Sequence, residues 1–360
     1  MFSFRTTRLE DQLDKALLDS RVACLCTQNC WDPLTGEYVW EIFRRRGNLQ
    51  KVFSPRDAEL TPDTNHIAFE ASDLEGLGAV VVEIQDVGAR YFNYTRDVFR
   101  LMAMLCEMEK GQEGDYPAVP SLYIVDHPNP AGRVVEGTIP VVGNEPWVPK
   151  IAHRHGLTLG ELCHLYYNEI GARFPLHIIS AEAGGTGRVL MPWTIPPASD
   201  IPGLFTCQMY SGGGLWNGTT LTPGIGTARP YEYFGAPFIK NSDPLPAPDG
   251  VSLRPCTFRP AAGLYAGEVC RGWQIILEPG AEYHSFLHTV RLMRYLGERY
   301  SEFGFRDGFE GKLADPVVWE YLQGNITFDI VQEHVKGEEQ KWIRKAKRYV
   351  LYDEAPYRMK

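Results

Sequence analysis

Short apolar runs break off into polar clusters three times in the first third of the chain. Val22 to Leu25 runs into Thr27-Gln28-Asn29, Val80 to Ile84 into Gln85-Asp86, and Leu122 to Val125 into Asp126-His127-Pro128-Asn129-Pro130. β-branched runs of this length, alternating with helix-like stretches, read as parallel strands. Between the second and third runs, Val98, Leu101, Met102, Leu105 and Met108 recur at helical spacing, with Thr95 placed as the N-cap. Strand, helix and strand therefore predict a βαβ unit, joined through the polar connection Glu113 to Pro120. In open parallel sheets ligands collect beyond the carboxyl ends of the strands, and all three polar clusters fall there.

Further on, Thr158-Leu159-Gly160-Glu161 has the capping-box pattern; Leu162, Leu165, Tyr166 and Ile170 follow at helical intervals before Gly171 closes the helix. The first domain is expected to span 1–170, the second 171–360. From Ala181 to Pro260 the chain is dense in Gly, Pro, Ser and Thr, the composition of binding loops. A strand at Trp273 to Leu277, helices at Tyr283 to Arg299, Pro316 to Leu322 and Phe328 to Arg348, and a terminal apolar run, Tyr349 to Tyr352, complete an α/β chain.

At 360 residues the length fits two domains, and an apolar share of 44% is ordinary for a globular protein. A formal charge of -9 argues against a nucleic-acid partner, which needs a concentrated basic face. The one basic stretch, Lys341 to Arg348, places Trp342, Ala346 and Tyr349 on one helical face and its charges around the others. No apolar run approaches the length of a membrane span, and Met1 to Ser20 has no apolar core of the kind export requires, so the expected location is cytoplasmic. Eight cysteines without a CxxC pair favour free, buried thiols; Cys24 and Cys26 alternate along the first strand toward one packed layer.

Asp86 and Asp126 end neighbouring runs, so both carboxylates are candidates to project into one crevice as the acid-base pair of a glycoside hydrolase. The alternative is that each accepts backbone N–H groups in its own tight turn. Asn129, rigid between two prolines, could hydrogen-bond a sugar, and Arg90 a carboxylate of ligand or protein. His153-Arg154-His155-Gly156 raises a metal reading with the two aspartates, but an H-x-H pair lacks helical ligand spacing; one functional histidine, His155, is preferred, and no metal is expected. Glu161 is explained by its capping box. Gly184 to Gly187 and Gly212 to Gly214 match neither the dinucleotide nor the P-loop pattern, so turn chemistry accounts for them and no cofactor is expected.

The chain also resembles the bacterial exo-β-N-acetylmuramidases, a family first catalogued as a domain of unknown function. The blocks that carry the resemblance run in order: Thr27-Gln28-Asn29, Gln85 to Tyr91, Asp126 to Pro130 through Glu136-Gly137, Arg154 to Thr158, Gly226 to Glu232 through Gly235-Ala236-Pro237, and Tyr349 to Tyr352. The resemblance implies a Rossmann-like domain joined to a smaller α/β domain with the site between them. It also implies a saccharide or muropeptide ending in N-acetylmuramic acid (MurNAc) as substrate. The acid-bearing motifs differ: the family's glutamate after Phe-Gly-Pro is replaced by Arg56-Asp57 after Phe53-Ser54-Pro55. The second motif, Glu-Gly-Thr-Asn and then Glu-Gly-Arg-Gly-Thr, reads Asn217-Gly218-Thr219-Thr220 and Pro223 to Thr227.

An arginine cannot act as a general acid, so Asp57 or Glu59 is the expected replacement, with Asp86 and Asp126 positioning sugar or water. Asn29, Asn129, His155 and Asn217 are expected to orient the substrate, with Arg56 and Arg90 as candidate binding residues. The alternative is a non-catalytic binder in which Arg56 holds the lactyl carboxylate of a muramic ligand.

Overall fold

In the computed structural model the described residues are 9–32, 35–55, 58, 69–111, 119–141, 150–180, 195–240 and 244–352. After a short helix α1 (Lys15–Leu18), strand β1 (Val22–Cys26) leads through the small hairpin β2 (Trp31–Asp32) and β3 (Glu37–Tyr38) into α2 (Val39–Arg46) and β4 (Leu49–Phe53). Next come β5 (Ala79–Glu83), α3 (Asn93–Lys110), β6 (Ser121–Asp126), α4 (Leu159–Glu169) and β7 (Leu176–Ser180). The five long strands form one parallel sheet in the order β4-β1-β5-β6-β7. The chain moves from β1 to β4 on one side, then jumps back to β5 on the other. That reversal opens a crevice at the carboxyl ends of β1 and β5.

Continuous apolar strands make sense once both faces are covered. Val22, Cys24, Cys26, Ala79, Val81, Tyr123 and Val125 pack with Leu17, Trp40 and Phe43 on one face. Ala23, Leu25, Val80, Val82, Leu122 and Ile124 pack with Val98, Met102, Leu105, Leu162 and Leu165 on the other. Cys24 and Cys26 share a layer, as their alternation predicts.

The second half holds α5 (Leu204–Gly213), the antiparallel sheet of β8 (Tyr233–Ala236), β9 (Val251–Phe258) and β10 (Cys270–Leu277) in the order β8-β10-β9, then α6 (Ser285–Arg299), α7 (Phe309–Leu313), α8 (Pro316–Gln323) and α9 (Phe328–Ala346). Trp216, Phe234, Trp273, Phe286 and Trp342 are buried in the same cluster as the α3 and α4 face of the parallel sheet. One core thus runs through both halves.

Several expectations change. The parallel sheet does not end near residue 170, because β7 pairs with β6 beyond that point. α3 starts at Asn93, and Thr95 is not its N-cap; its hydroxyl donates to Asp86 instead. Helix α5 and strand β9 lie in the stretch read as loops: α5 ends in glycines and β9 contains Pro255, so neither carries a clean period. Lys341 to Ala346 is helical, with Trp342 and Ala346 buried as their spacing predicts. Among the described residues no helix is long and apolar enough to cross a membrane.

Candidate functional site at the carboxyl edge of the sheet

Asp86 follows β5, and its carboxylate is fully used inside the protein. Oδ1 accepts from Gly88 N (2.7 Å), Oδ2 accepts from Thr95 Oγ1 (2.5 Å), and His155 Nε2 lies 3.1 Å from Oδ1. Burial pushes its pKa up, but His155 and the bonds from Thr95 and Gly88 outweigh that and hold it below the usual value. His155 Nδ1 accepts from Leu157 N (3.2 Å), so the proton of a neutral ring stands on Nε2, facing Asp86. His155 is itself buried, and its carbonyl accepts from Trp342 Nε1 (2.8 Å).

Asp126 ends β6 and caps the neighbouring helix. Its oxygens accept from Thr158 Oγ1 (2.7 Å) and Gly160 N (2.8 Å) at the start of α4. Burial raises its pKa to about 6, moderated by those two bonds. The Asn129 amide is held as its flanking prolines predict, but inward: Nδ2 donates to Leu157 O and Oδ1 accepts from Ala131 N, both at 2.9 Å. Asp86, Asp126, Asn129 and His155 are thus buried among internal partners, which for the two aspartates is the turn alternative. A polar cluster at a strand end serves the turn as well as it would a ligand.

Arg90 pairs with no carboxylate of the described residues. It donates to the carbonyls of Thr138 (2.9 Å), Ile151 (3.3 Å), and Lys312 and Leu313 (both 3.1 Å) at the end of α7. Burial lowers its pKa to about 10. His153 is engaged elsewhere, with Thr138 N 3.0 Å from Nδ1 and Arg90 Nη2 2.8 Å from Nε2. The two histidines face different partners instead of one metal position. Glu161 caps Thr158 N (2.8 Å) as expected and also holds the buried Arg133 and Leu351 N (2.9 Å). The terminal run therefore docks on α4.

Polar groups that keep some exposure are fewer. Asn29 is half-buried, its Oδ1 accepting from Thr27 Oγ1 (2.5 Å). Beside it, buried Glu83 at the end of β5 bonds His127 Nε2 (3.0 Å) at the end of β6. The neighbouring Gln28 Nε2 donates to Pro196 O (2.9 Å) and Pro197 O (3.0 Å), which draws the second half across this edge. Three residues further, half-exposed Asp200 accepts from Tyr231 Oη (2.6 Å), and Asn217 Nδ2 reaches the same hydroxyl at 3.5 Å. Arg56, Asp57 and Glu59, and Gly184 to Gly187, lie outside the described residues.

Tyr231 has φ +64°, a left-handed conformation rare for a bulky side chain and frequent where function demands it. A row of ring contacts runs from it: Tyr231 to Tyr210 (4.6 Å between centroids) and Tyr210 to Tyr91 (5.9 Å). The Gly212-Gly213-Gly214 run makes this approach possible. A Cβ at Gly212 would stand 2.1 Å from Ser285 O, at Gly213 2.9 Å from Tyr231 O, and at Gly214 3.0 Å from the Tyr91 ring. None of the three has positive φ, so they serve close packing at the end of α5 and not a turn. Glu83, His127, Asp200 and Tyr231 were missed as site residues. For Glu83, His127 and Tyr231 the sequence signal was their place in or beside the blocks already singled out; Asp200 lies in none of them.

A parallel sheet whose carboxyl edge meets a second, aromatic-rich half defines an α/β protein with a candidate site at that edge. Residues 64–189 match the family model described as exo-beta-N-acetylmuramidase NamZ, N-terminal, and residues 208–352 its C-terminal counterpart. The chain belongs to this NamZ-type family. It is 24% identical over 296 residues to the peptidoglycan beta-N-acetylmuramidase NamZ of Bacillus subtilis strain 168, covering 78% of this chain and 68% of that protein. Two solved DUF1343-family proteins of Bacteroides fragilis NCTC 9343 share the fold. One has a TM-score of 0.77 at 18% identity, covering 96% of this chain and 97% of its own; the other 0.73 at 20%, covering 94% and 95%.

Proposed function

We propose that this chain is an exo-β-N-acetylmuramidase that removes a terminal MurNAc unit from peptidoglycan fragments. The observation that carries the reading is that both family matches meet at one place: Tyr91 of the N-terminal match donates from its hydroxyl to Ser211 O of the C-terminal one. In hydrolysis the bond from C1 to the glycosidic oxygen breaks, its electron pair and a proton go to that oxygen, and water supplies the new hydroxyl at C1. Asp200, partly exposed and fixed by Tyr231, is a carboxylate suited to act as acid or base there. Asp57 and Glu59 remain the alternatives from the substituted motif. Asn29 and Asn217 orient the sugar.

A second reading, a non-catalytic binder of the same sugars, is favoured by the internal use of Asp86 and Asp126, which leaves neither free for chemistry. The test is incubation of purified protein with MurNAc-GlcNAc and with a chromogenic MurNAc glycoside, alongside calorimetry. Release of MurNAc that falls roughly 100- to 10,000-fold in Asp200→Asn supports the enzyme and Asp200 as its acid-base group. Turnover lost in Asp57→Ala or Glu59→Ala but kept in Asp200→Asn moves the acid to the substituted motif. Saturable binding without turnover supports the binder, and neither binding nor turnover overturns both.

A further inference from the structure

Lys312 stands out among the cations of the site. Buried Arg133 bonds Glu161, buried Arg154 bonds Glu136 (2.6 Å), and the Arg90 guanidinium is spread over backbone carbonyls. The half-buried Lys312 has none of these. Among the described residues its Nζ makes no ion pair or hydrogen bond, and its contact is the face of Tyr91, 5.2 Å from the ring centroid. Burial alone lowers its pKa to about 8.

Desolvating an ammonium without a counter-ion is costly, and a cation-π contact returns only part of that cost. Such an arrangement is explained if an anion completes it. Lys312 is placed for that: its ring partner Tyr91 begins the aromatic row through Tyr210 to Tyr231, whose hydroxyl bonds Asp200. Tyr210 and Tyr231 are buried and packed edge-on, so Tyr91 and Lys312, both half-buried, are the part of the row with exposure left to meet a ligand.

We propose that Lys312 binds the lactyl carboxylate of the muramic sugar and so sets the preference for MurNAc over GlcNAc; this rests on the function proposed above. Replacing the ammonium by an apolar group of similar length breaks no hydrogen bond among the described residues and relieves a desolvated cation. The fold should therefore tolerate Lys312→Met, which a thermal melt checks directly.

The experiment measures binding of MurNAc, its carboxyl methyl ester and GlcNAc to the whole chain by calorimetry. The wild type should prefer MurNAc over the ester by roughly 10- to 100-fold, the size of a charge-assisted bond. Lys312→Met should bring the two to near equal affinity by weakening the acid alone, and Lys312→Arg should keep most of the preference. An unchanged acid-to-ester ratio in a folded Lys312→Met protein overturns the assignment while leaving the proposed function standing. A wild type that binds none of the three sugars and cleaves no MurNAc glycoside removes both.

Discussion

Asp86 is where a catalytic and a structural carboxylate make opposite demands. Removing it as Asp86→Ala deprives two buried donors, Gly88 N and Thr95 Oγ1, of their acceptor and takes away the charge 3.1 Å from His155 Nε2. An unsatisfied buried donor costs about 1 to 3 kcal/mol, and the Thr95 hydroxyl can turn toward another acceptor, so the expected loss is about 3 to 5 kcal/mol. Asp86→Asn keeps one acceptor oxygen and gives up the charge facing His155, for an expected loss of about 1 to 2 kcal/mol. Against a native stability of roughly 5 to 15 kcal/mol, alanine should bring the protein near its unfolding threshold. Urea unfolding followed by tryptophan fluorescence should show the midpoint falling in that order, with the slope unchanged. Acid should weaken the wild type by the same route. The folded pKa lies below the unfolded value, so this contribution is present above about pH 4 and is lost as pH falls through the folded pKa. If Asp86→Ala moves stability by less than about 0.5 kcal/mol while MurNAc release disappears, the carboxylate is catalytic and the structural account is wrong.

Asp126 should show the reverse sign. Its folded pKa, raised to about 6, lies above the unfolded value, so its contribution is fully present below about pH 4 and fades as pH rises through 6. Asp126→Asn should flatten the stability profile across that window by up to about 3 kcal/mol, and an unaltered profile in pH-resolved melts would contradict this. Gly212→Ala forces a Cβ to 2.1 Å from Ser285 O, a backbone atom, so α5 and α6 must part. The expected cost is about 1 to 3 kcal/mol, and a melting temperature equal to wild type would refute the close-packing role. Gly267→Ala, with no atom near its Cβ but φ +81°, separates conformational strain from crowding and should cost about 1 kcal/mol.

Much of the fold was legible because its causes are local. β-branched runs, helical spacing in α3 and the Thr158 capping box each depend on residues within a few positions of one another, and each element is present where its pattern put it, α3 starting at Asn93 instead of after Thr95. The family was legible for a related reason, since its blocks occur in order along one chain. Boundaries between layers were less so: nothing local in Leu176 to Ser180 says that it joins β6 instead of starting a new domain.

The site divided along the same line. Sequence alone determined that polar residues gather at the carboxyl edge of a parallel sheet, because the ends of strands are set by where apolar runs stop. Only the tertiary structure decided which of them face solvent. Asp86 and His155 are 69 positions apart in number and Asp126 and Thr158 are 32, yet each pair closes on itself, since a buried charge must find partners wherever the fold brings them. By the same rule Glu83 meets His127 and Asp200 meets Tyr231, whereas Lys312 has only the face of Tyr91 among the described residues. Pairs within one helical turn, such as Arg294 with Glu298, can be read along the chain, but the buried pairs of this edge join distant segments and exist only once the fold is assembled.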